Sequence, residues 1–363
     1  MLALWSASIP MAAAQGERLT ISGDGSTLAY PMYSKWIAEY QKDDPVVEFT
    51  YVSNGSGAGI HDIMTGTVDF AGTDGPLNKT QMLDFSTHRN CEVLHFPTAI
   101  GADVPVYSVP GVIQALNFTP RALAGIFLGT ITKWNDPEIA KLNPNLSLPA
   151  NDIVVVHRQD GSGTTYVWTD YLSKVSPDWR QRVGTGISVN WPVGLAANGN
   201  EGVIQTVART PYSIGYAELT YAIRNRLFYG SVANRSGHFI EANLASVTAA
   251  AAGIAEMPAD FRVSITDAPG EEAYPISSFT WILVPSVIAD SVRHTAIVKF
   301  LQWGLTKGQD YLEPLSYARL PAAVIEAEEK ALVRIRLSSK SEAASDPRAS
   351  TAAKRRIRSA KAT

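Results

Sequence analysis

The sequence predicts an α/β protein of two domains. Short apolar runs of strand length alternate with stretches of helical apolar spacing, a pattern that packs helices onto a largely parallel sheet. The 363 residues, 45% of them hydrophobic, amount to about two domains at roughly 150 residues each and can bury sizeable cores. A unit of strand, glycine-rich turn and helix occurs three times, at residues 19–40, 46–65 and 153–174.

The elements follow in order. Leu19 to Ser22 reads as a short strand, and Gly23-Asp24-Gly25-Ser26 turns into a helix from about Leu28 to Tyr40. Pro31 falls in the first turn of that helix, where a missing N–H does little harm. Val46 to Val52 is a β-branched and aromatic strand ending in Asn54-Gly55-Ser56-Gly57-Ala58-Gly59. Ile60, Ile63 and Met64 then give helical spacing until Gly66 stops it. Val68 to Ala71 is a strand that breaks at Gly72-Thr73-Asp74-Gly75-Pro76. Ile153 to His157 reads as a buried strand, followed by Gln159-Asp160-Gly161-Ser162-Gly163 and a helix from Thr164 to Lys174.

Composition narrows the function. There are 31 Lys and Arg against 34 Asp and Glu, a formal net charge of −3, which argues against bulk nucleic-acid binding. Cys91 is the single cysteine, so an intrachain disulfide is excluded. Residues 336–363 carry eight basic side chains against Glu342 and Asp346, a balance of +6 that leaves −9 for the rest of the −3 chain. This segment has no aromatics and reads as a disordered basic tail, either a plain solvated extension or a contact for a membrane or partner. Met1 to Ala14 is apolar, and Ala12-Ala13-Ala14 before Gln15 fits a signal-peptide cleavage pattern. No run reaches the 18 or so apolar residues needed to span a bilayer. The expectation is an exported, periplasmic protein without a lipid anchor.

The three glycine-rich turns carry the chemistry. The first N–H groups of a helix lack intrahelical partners, and the helix dipole adds partial positive charge there. Glycine admits an anion close to the backbone, and Ser or Thr hydroxyls add donors. Ser26 and Thr27, Ser56, and Ser162 and Thr164 occupy these helix starts. Any one of them is equally an ordinary cap; three together point to one converging oxyanion site. Arg158 and Asp160 precede the third turn, and a guanidinium fork suits a tetrahedral oxyanion. Asp160 would hold that fork.

Asp74 fits such a site only under one condition. An ionised carboxylate accepts hydrogen bonds and donates none, so its anionic guest has to bring a proton. Phosphate near neutral pH carries one or two; sulfate carries none. The alternative for Asp74 is an Asx-turn residue in Thr73-Asp74-Gly75-Pro76.

Further motifs appear in a fixed order: Gly23-Asp24-Gly25-Ser26-Thr27, Tyr33-Ser34-Lys35-Trp36, Gly55-Ser56-Gly57, Val68 to Asp74, Arg158 to Thr164, Trp191-Pro192-Val193-Gly194, Ser213-Ile214-Gly215-Tyr216 and Tyr274-Pro275-Ile276. Over about Leu19 to Glu328 the chain resembles the periplasmic phosphate-binding proteins of high-affinity phosphate ABC transporters. The resemblance implies a two-lobed periplasmic-binding-protein fold, each lobe a mixed sheet flanked by helices, with ligand in the cleft between them. It assigns lobe one to residues 16–97 plus 277–335 and lobe two to 98–276, with crossings at Phe96-Pro97-Thr98 and Tyr274-Pro275-Ile276. Carried over by motif, Thr27, Leu28, Ser56 and Asp74 would bind phosphate from one lobe, and Arg158, Ser162, Gly163 and Thr164 from the other. Asp160 would partner the arginine. The implied role is capture of inorganic phosphate by a monomer and delivery to membrane-embedded ABC permease subunits, with no metal or cofactor. Leu28 stands where the family often has Phe, and Gly57 where Ser is common.

Rival classes find less support. No Gly-x-Ser-x-Gly, His-Glu-x-x-His or Gly-x-x-x-x-Gly-Lys-Ser/Thr motif occurs. The six histidines show no metal-ligand spacing, and His157 reads as a packed strand residue. A receptor for another oxyanion, or a secreted phosphate sensor on the same scaffold, remains the alternative to a transport role.

Overall fold

The computed structural model describes residues 19–254 and 256–338. The expected export segment at 1–15 and the tail beyond 338 lie outside the described residues. One nine-stranded sheet runs through the molecule. Its strands are β1 (Leu19–Gly25), β2 (Val47–Val52), β3 (Phe70–Thr73), β4 (Val93–Ser108), β5 (Val154–Arg158), β6 (Leu195–Ala197), β7 (Ser213–Glu218), β8 (Phe228–Tyr229) and β9 (Ser277–Pro285). The order is β2-β1-β3-β9-β4-β7-β5-β6, with β8 added along β4.

Pairing is parallel in two places, β2-β1-β3 at one end and β7-β5-β6 at the other. Between them the long strands β4 and β9 run antiparallel. Every residue of β9 is buried, as is all of β4 except its last. That is the signature of strands covered on both faces. Each parallel end forms the floor of one lobe of a two-lobed binding-protein fold.

The expected crossing at Phe96-Pro97-Thr98 lies inside β4, which continues unbroken through it. Phe96 and Pro97 still pair with Ile282 and Trp281 of β9, and Thr98 is bulged out of register. The strand changes partner five residues later: Ala102 pairs with Ser277 on β9, and Asp103 with Glu218 on β7. Pro97 pairs with Trp281 at the point where the β4–β9 register shifts, a bulge being one of the places where a strand tolerates proline. Tyr274 and Ile276 of the second expected crossing both bond to Asp103, at 2.9 Å each.

The helices that serve the cleft are α1 (Tyr30–Asp43), α2 (Ser56–Thr65), α3 (Gly163–Val175) and α4 (Gly199–Arg209). Behind α1 lies α5 (Ser291–Leu305). Trp36 and Tyr40 of α1 pack on Phe300 and Trp303 of α5, and the Trp36 indole donates to the Gly308 carbonyl at 2.8 Å. This aromatic cluster holds α1 and thereby the turn before it. α2 ends at Gly66, whose φ of 77° is the left-handed conformation that glycine adopts at no steric cost. His157 stacks on Trp191 with ring centroids 5.0 Å apart, as a packed strand residue should. Arg336 and Leu337, expected to begin the tail, pair with Val287 and Ile288.

Candidate functional site

The three turns converge where the two lobes face each other. β1 delivers Ser26 and Thr27 to the turn before α1, β2 leads to Ser56 at the start of α2, and β3 ends at Thr73 just before Asp74. From the other lobe β5 ends on Arg158, followed by Asp160 and the start of α3 at Gly163. All sit at carboxyl ends of parallel strands, where open α/β sheets gather their ligands.

Asp74 is fully buried. Its carboxylate accepts from the Ser26 hydroxyl, 2.7 and 2.6 Å from the two oxygens, and from the Thr280 hydroxyl at 2.7 Å. Desolvation raises its pKa to about 6, and the hydroxyls and Arg158 pull against that rise. The Asx-turn alternative fails, because the hydroxyl within that turn that bonds to Gly75 is Thr73's, while the Asp74 oxygens turn to Ser26 and Thr280.

Gly163 faces Asp74 across the lobe boundary. A Cβ there would collide with the carboxylate and lie 2.6 Å from the Ser56 hydroxyl oxygen. The Ser56 hydroxyl itself is buried with no hydrogen-bond partner among the described residues. It is not a cap, since Gly55 holds the cap position of α2. A buried hydroxyl left unpaired is costly, and such groups mark places where a ligand completes the bonding.

Arg158 is almost wholly buried and grips Asp160 with two donors: Nε at 2.8 Å from Oδ1, and Nη2 on Oδ2. The pair is therefore no surface bridge. The guanidinium holds the Asp160 carboxyl below the usual carboxylate range, against a desolvation that raises it. Asp160 also accepts from the Gly199 N–H at 3.0 Å, the first residue of α4. The remaining guanidinium nitrogen, Nη1, reaches the Thr164 hydroxyl at 3.4 Å.

Ser162 caps α3: its hydroxyl oxygen accepts from the Thr165 N–H at 3.1 Å, and its own N–H donates to Ile187 at 2.7 Å. Only its hydroxyl hydrogen is left for a ligand. The N–H groups of Gly163 and Thr164 open the first turn of α3, which no intrahelical carbonyl serves. Leu28 is buried beside Thr27, with its carbonyl accepting from the Tyr317 hydroxyl at 2.6 Å. Gly57 donates to the Gly161 carbonyl at 2.8 Å, and a Cβ at 57 would sit 2.9 Å from the Gly161 Cα. A serine at that position would force the two turns apart.

Three residues of this region escaped the sequence reading, Thr280 on Asp74 and Asn200 and Tyr221 on Thr27, while Ser26, read as a helix-start hydroxyl, bonds to Asp74. Asn198-Gly199-Asn200 is a fourth strand–turn–helix, after β6, and could have been found by the same pattern. Thr280 lies mid-strand and left no local signal. A cavity of about 380 Å³ opens beside the cluster, lined by Thr27, Tyr30, Asp160, Asn200, Tyr221 and Arg224 among others. Among the described residues no group of three or more potential metal ligands gathers, and no helix is long and apolar enough to cross a membrane.

A buried, donor-lined cleft between two α/β lobes defines a solute-binding protein, and residues 11–306 match the PBP superfamily domain. Among curated proteins the chain is 40% identical over 309 residues to the phosphate-binding protein PstS of Pasteurella multocida, covering 85% of this chain and 88% of that one. It is 39% identical over 308 residues to PstS of Haemophilus influenzae, covering 84% and 90%. The chain belongs to the PstS family. Among solved structures it resembles a phosphate-bound periplasmic phosphate-binding protein, PfluDING, with a TM-score of 0.70 at 20% identity, covering 86% and 93%. A putative phosphate ABC transporter substrate-binding protein of Clostridium perfringens gives 0.60 at 17% identity, covering 83% and 100%. These two likenesses concern the fold.

Proposed function

We propose that the protein captures inorganic phosphate between its lobes and delivers it, chemically unchanged, to the membrane subunits of an ABC permease. The observation that carries this reading is a fully buried carboxylate, Asp74, held by the Ser26 and Thr280 hydroxyls and met from the other lobe by Gly163 at the start of α3. A site of donors alone would take any oxyanion of suitable size. An acceptor within it selects a guest that still holds a proton, and rejecting guests without one is worth large factors in affinity.

In this reading the Arg158 guanidinium neutralises the anion, with Asp160 fixing the fork. The hydroxyls of Thr27, Ser56, Ser162 and Thr164 and the N–H groups of Thr27, Leu28, Gly163 and Thr164 donate to its oxygens, and Asp74 takes its proton. Short bonds in a dry cleft supply the affinity, because low dielectric strengthens each one. The lobes would divide at Ala102/Asp103 and Ile276/Ser277, where the sheet changes partner. Ligand favours the closed form because it touches both lobes at once. The reading includes export to a periplasmic compartment, action as a monomer and no resident cofactor; the cluster serves binding and carries no catalytic residue. Calorimetric titration of the purified chain with phosphate, arsenate and sulfate tests it. Phosphate should saturate one site, arsenate should compete, and sulfate should fail; equal binding of sulfate would reject the reading.

A further inference from the structure

Asn200 is fully buried at the start of α4 and touches both lobes. Its side-chain nitrogen donates to the Thr27 hydroxyl oxygen at 2.9 Å and to the Thr164 hydroxyl oxygen at 3.1 Å. Its backbone N–H adds a second bond to Thr27, at 3.3 Å. The side-chain oxygen accepts from the Glu218 N–H at 3.0 Å. A backbone N–H can only donate, so this last bond fixes which end of the amide points at the threonines.

A hydroxyl has one hydrogen to give and two lone pairs to fill. Both lone pairs of Thr27 are taken by Asn200. Those of Thr164 are taken by Asn200 and by the Arg158 guanidinium. Each hydroxyl therefore has only its hydrogen left. We infer that Asn200 is a positioning residue that commits the Thr27 and Thr164 hydroxyls, one from each lobe, to act as donors toward the bound anion. It need not touch the anion to do so. It sets the polarity of two groups that otherwise serve equally well as acceptors, and its bonds to Thr27, which cross between the lobes, align them as they close. This inference rests on the phosphate reading above and gives two of its donors a cause.

The test is a double-mutant cycle on the full chain, read by calorimetric titration with inorganic phosphate at neutral pH. Asn200→Ala should weaken binding about tenfold in the parent, the scale of a lost hydrogen bond. In a Thr27→Val background the same change should weaken it by about threefold or less, since one of the two hydroxyls it governs is already gone. Asn200→Asp keeps the shape and the acceptor for Glu218 but replaces the donating amide with a carboxylate that only accepts. It should be worse than Asn200→Ala, and it carries the test if the alanine variant proves poorly folded in a thermal scan. An undiminished factor in the Thr27→Val background, or an aspartate milder than the alanine, would overturn the inference while the parent still binds phosphate. Failure of the parent itself to bind phosphate would overturn both this inference and the function it rests on.

Discussion

Gly163 and Asp74 meet from opposite lobes with no room for a side chain between them. This fixes where the cleft shuts. The first residue of α3 lies directly against the carboxylate and Ser56, and only glycine lets the two lobes come this near.

Gly163→Ala should therefore hold the lobes apart. The added methyl group would collide with the Asp74 carboxylate and crowd Ser56, and overpacking of this kind should weaken phosphate binding by roughly a hundredfold. Thermal unfolding without ligand should change little, because the clash is relieved by opening. Small-angle scattering with saturating phosphate should show the variant more open than the parent.

Ser56→Ala should separate stability from function. The hydroxyl is buried and unpaired, so its removal leaves the unfolding temperature of the empty protein unchanged or raised. Phosphate affinity should fall by about tenfold. Arg158→Ala should lose far more, roughly a thousandfold, because it strands the Asp160 carboxylate as well as removing the guanidinium.

Acid should loosen the selectivity. The pKa of Asp74 is raised to about 6 by burial, so below that pH the carboxyl carries its own proton and can donate to sulfate. Sulfate affinity should rise as pH falls from about 7 to about 5. The stability of the empty protein should move with the same proton. A carboxyl raised in the folded state contributes stability that is full below its unfolded pKa and is lost as pH rises through 6. Other buried carboxyls, Asp103 and Glu218 among them, titrate upward too. The Asp74 share is therefore the difference between the pH profiles of the parent and Asp74→Asn, measured by thermal unfolding.

Glu328 offers a test of stability away from the cleft. Both its oxygens are buried without a partner among the described residues, and desolvation pushes its carboxyl well above the usual range. Glu328→Met, similar in length and free of polar oxygens, should stabilise the protein by about 1–3 kcal/mol at pH 8. Chemical denaturation reads the gain, and phosphate affinity should stay unchanged.

Much of the layout was legible in the sequence because local chemistry decided it. Each glycine-rich turn after a β-branched run did become a strand–turn–helix unit, and Arg158 with Asp160 stood two residues apart at the end of one strand. Boundaries moved by one to three residues. α1 begins at Tyr30 rather than Leu28, since the Ser26 hydroxyl accepts from the Ala29 N–H and holds the turn open. What stayed hidden depended on long-range register. Thr280 reaches Asp74 only because β9 returns between β3 and β4. The change of sheet partner at Ala102/Asp103 is likewise set by which strands flank β4.

The most direct test concerns Asp74 as the acceptor offered to a protonated guest. Asp74→Asn, titrated with phosphate and with sulfate by calorimetry at pH 7, should lose selectivity by about a hundredfold or more, sulfate gaining as phosphate weakens. Undiminished preference for phosphate in that variant would contradict the account, because selection would then lie elsewhere in the cleft.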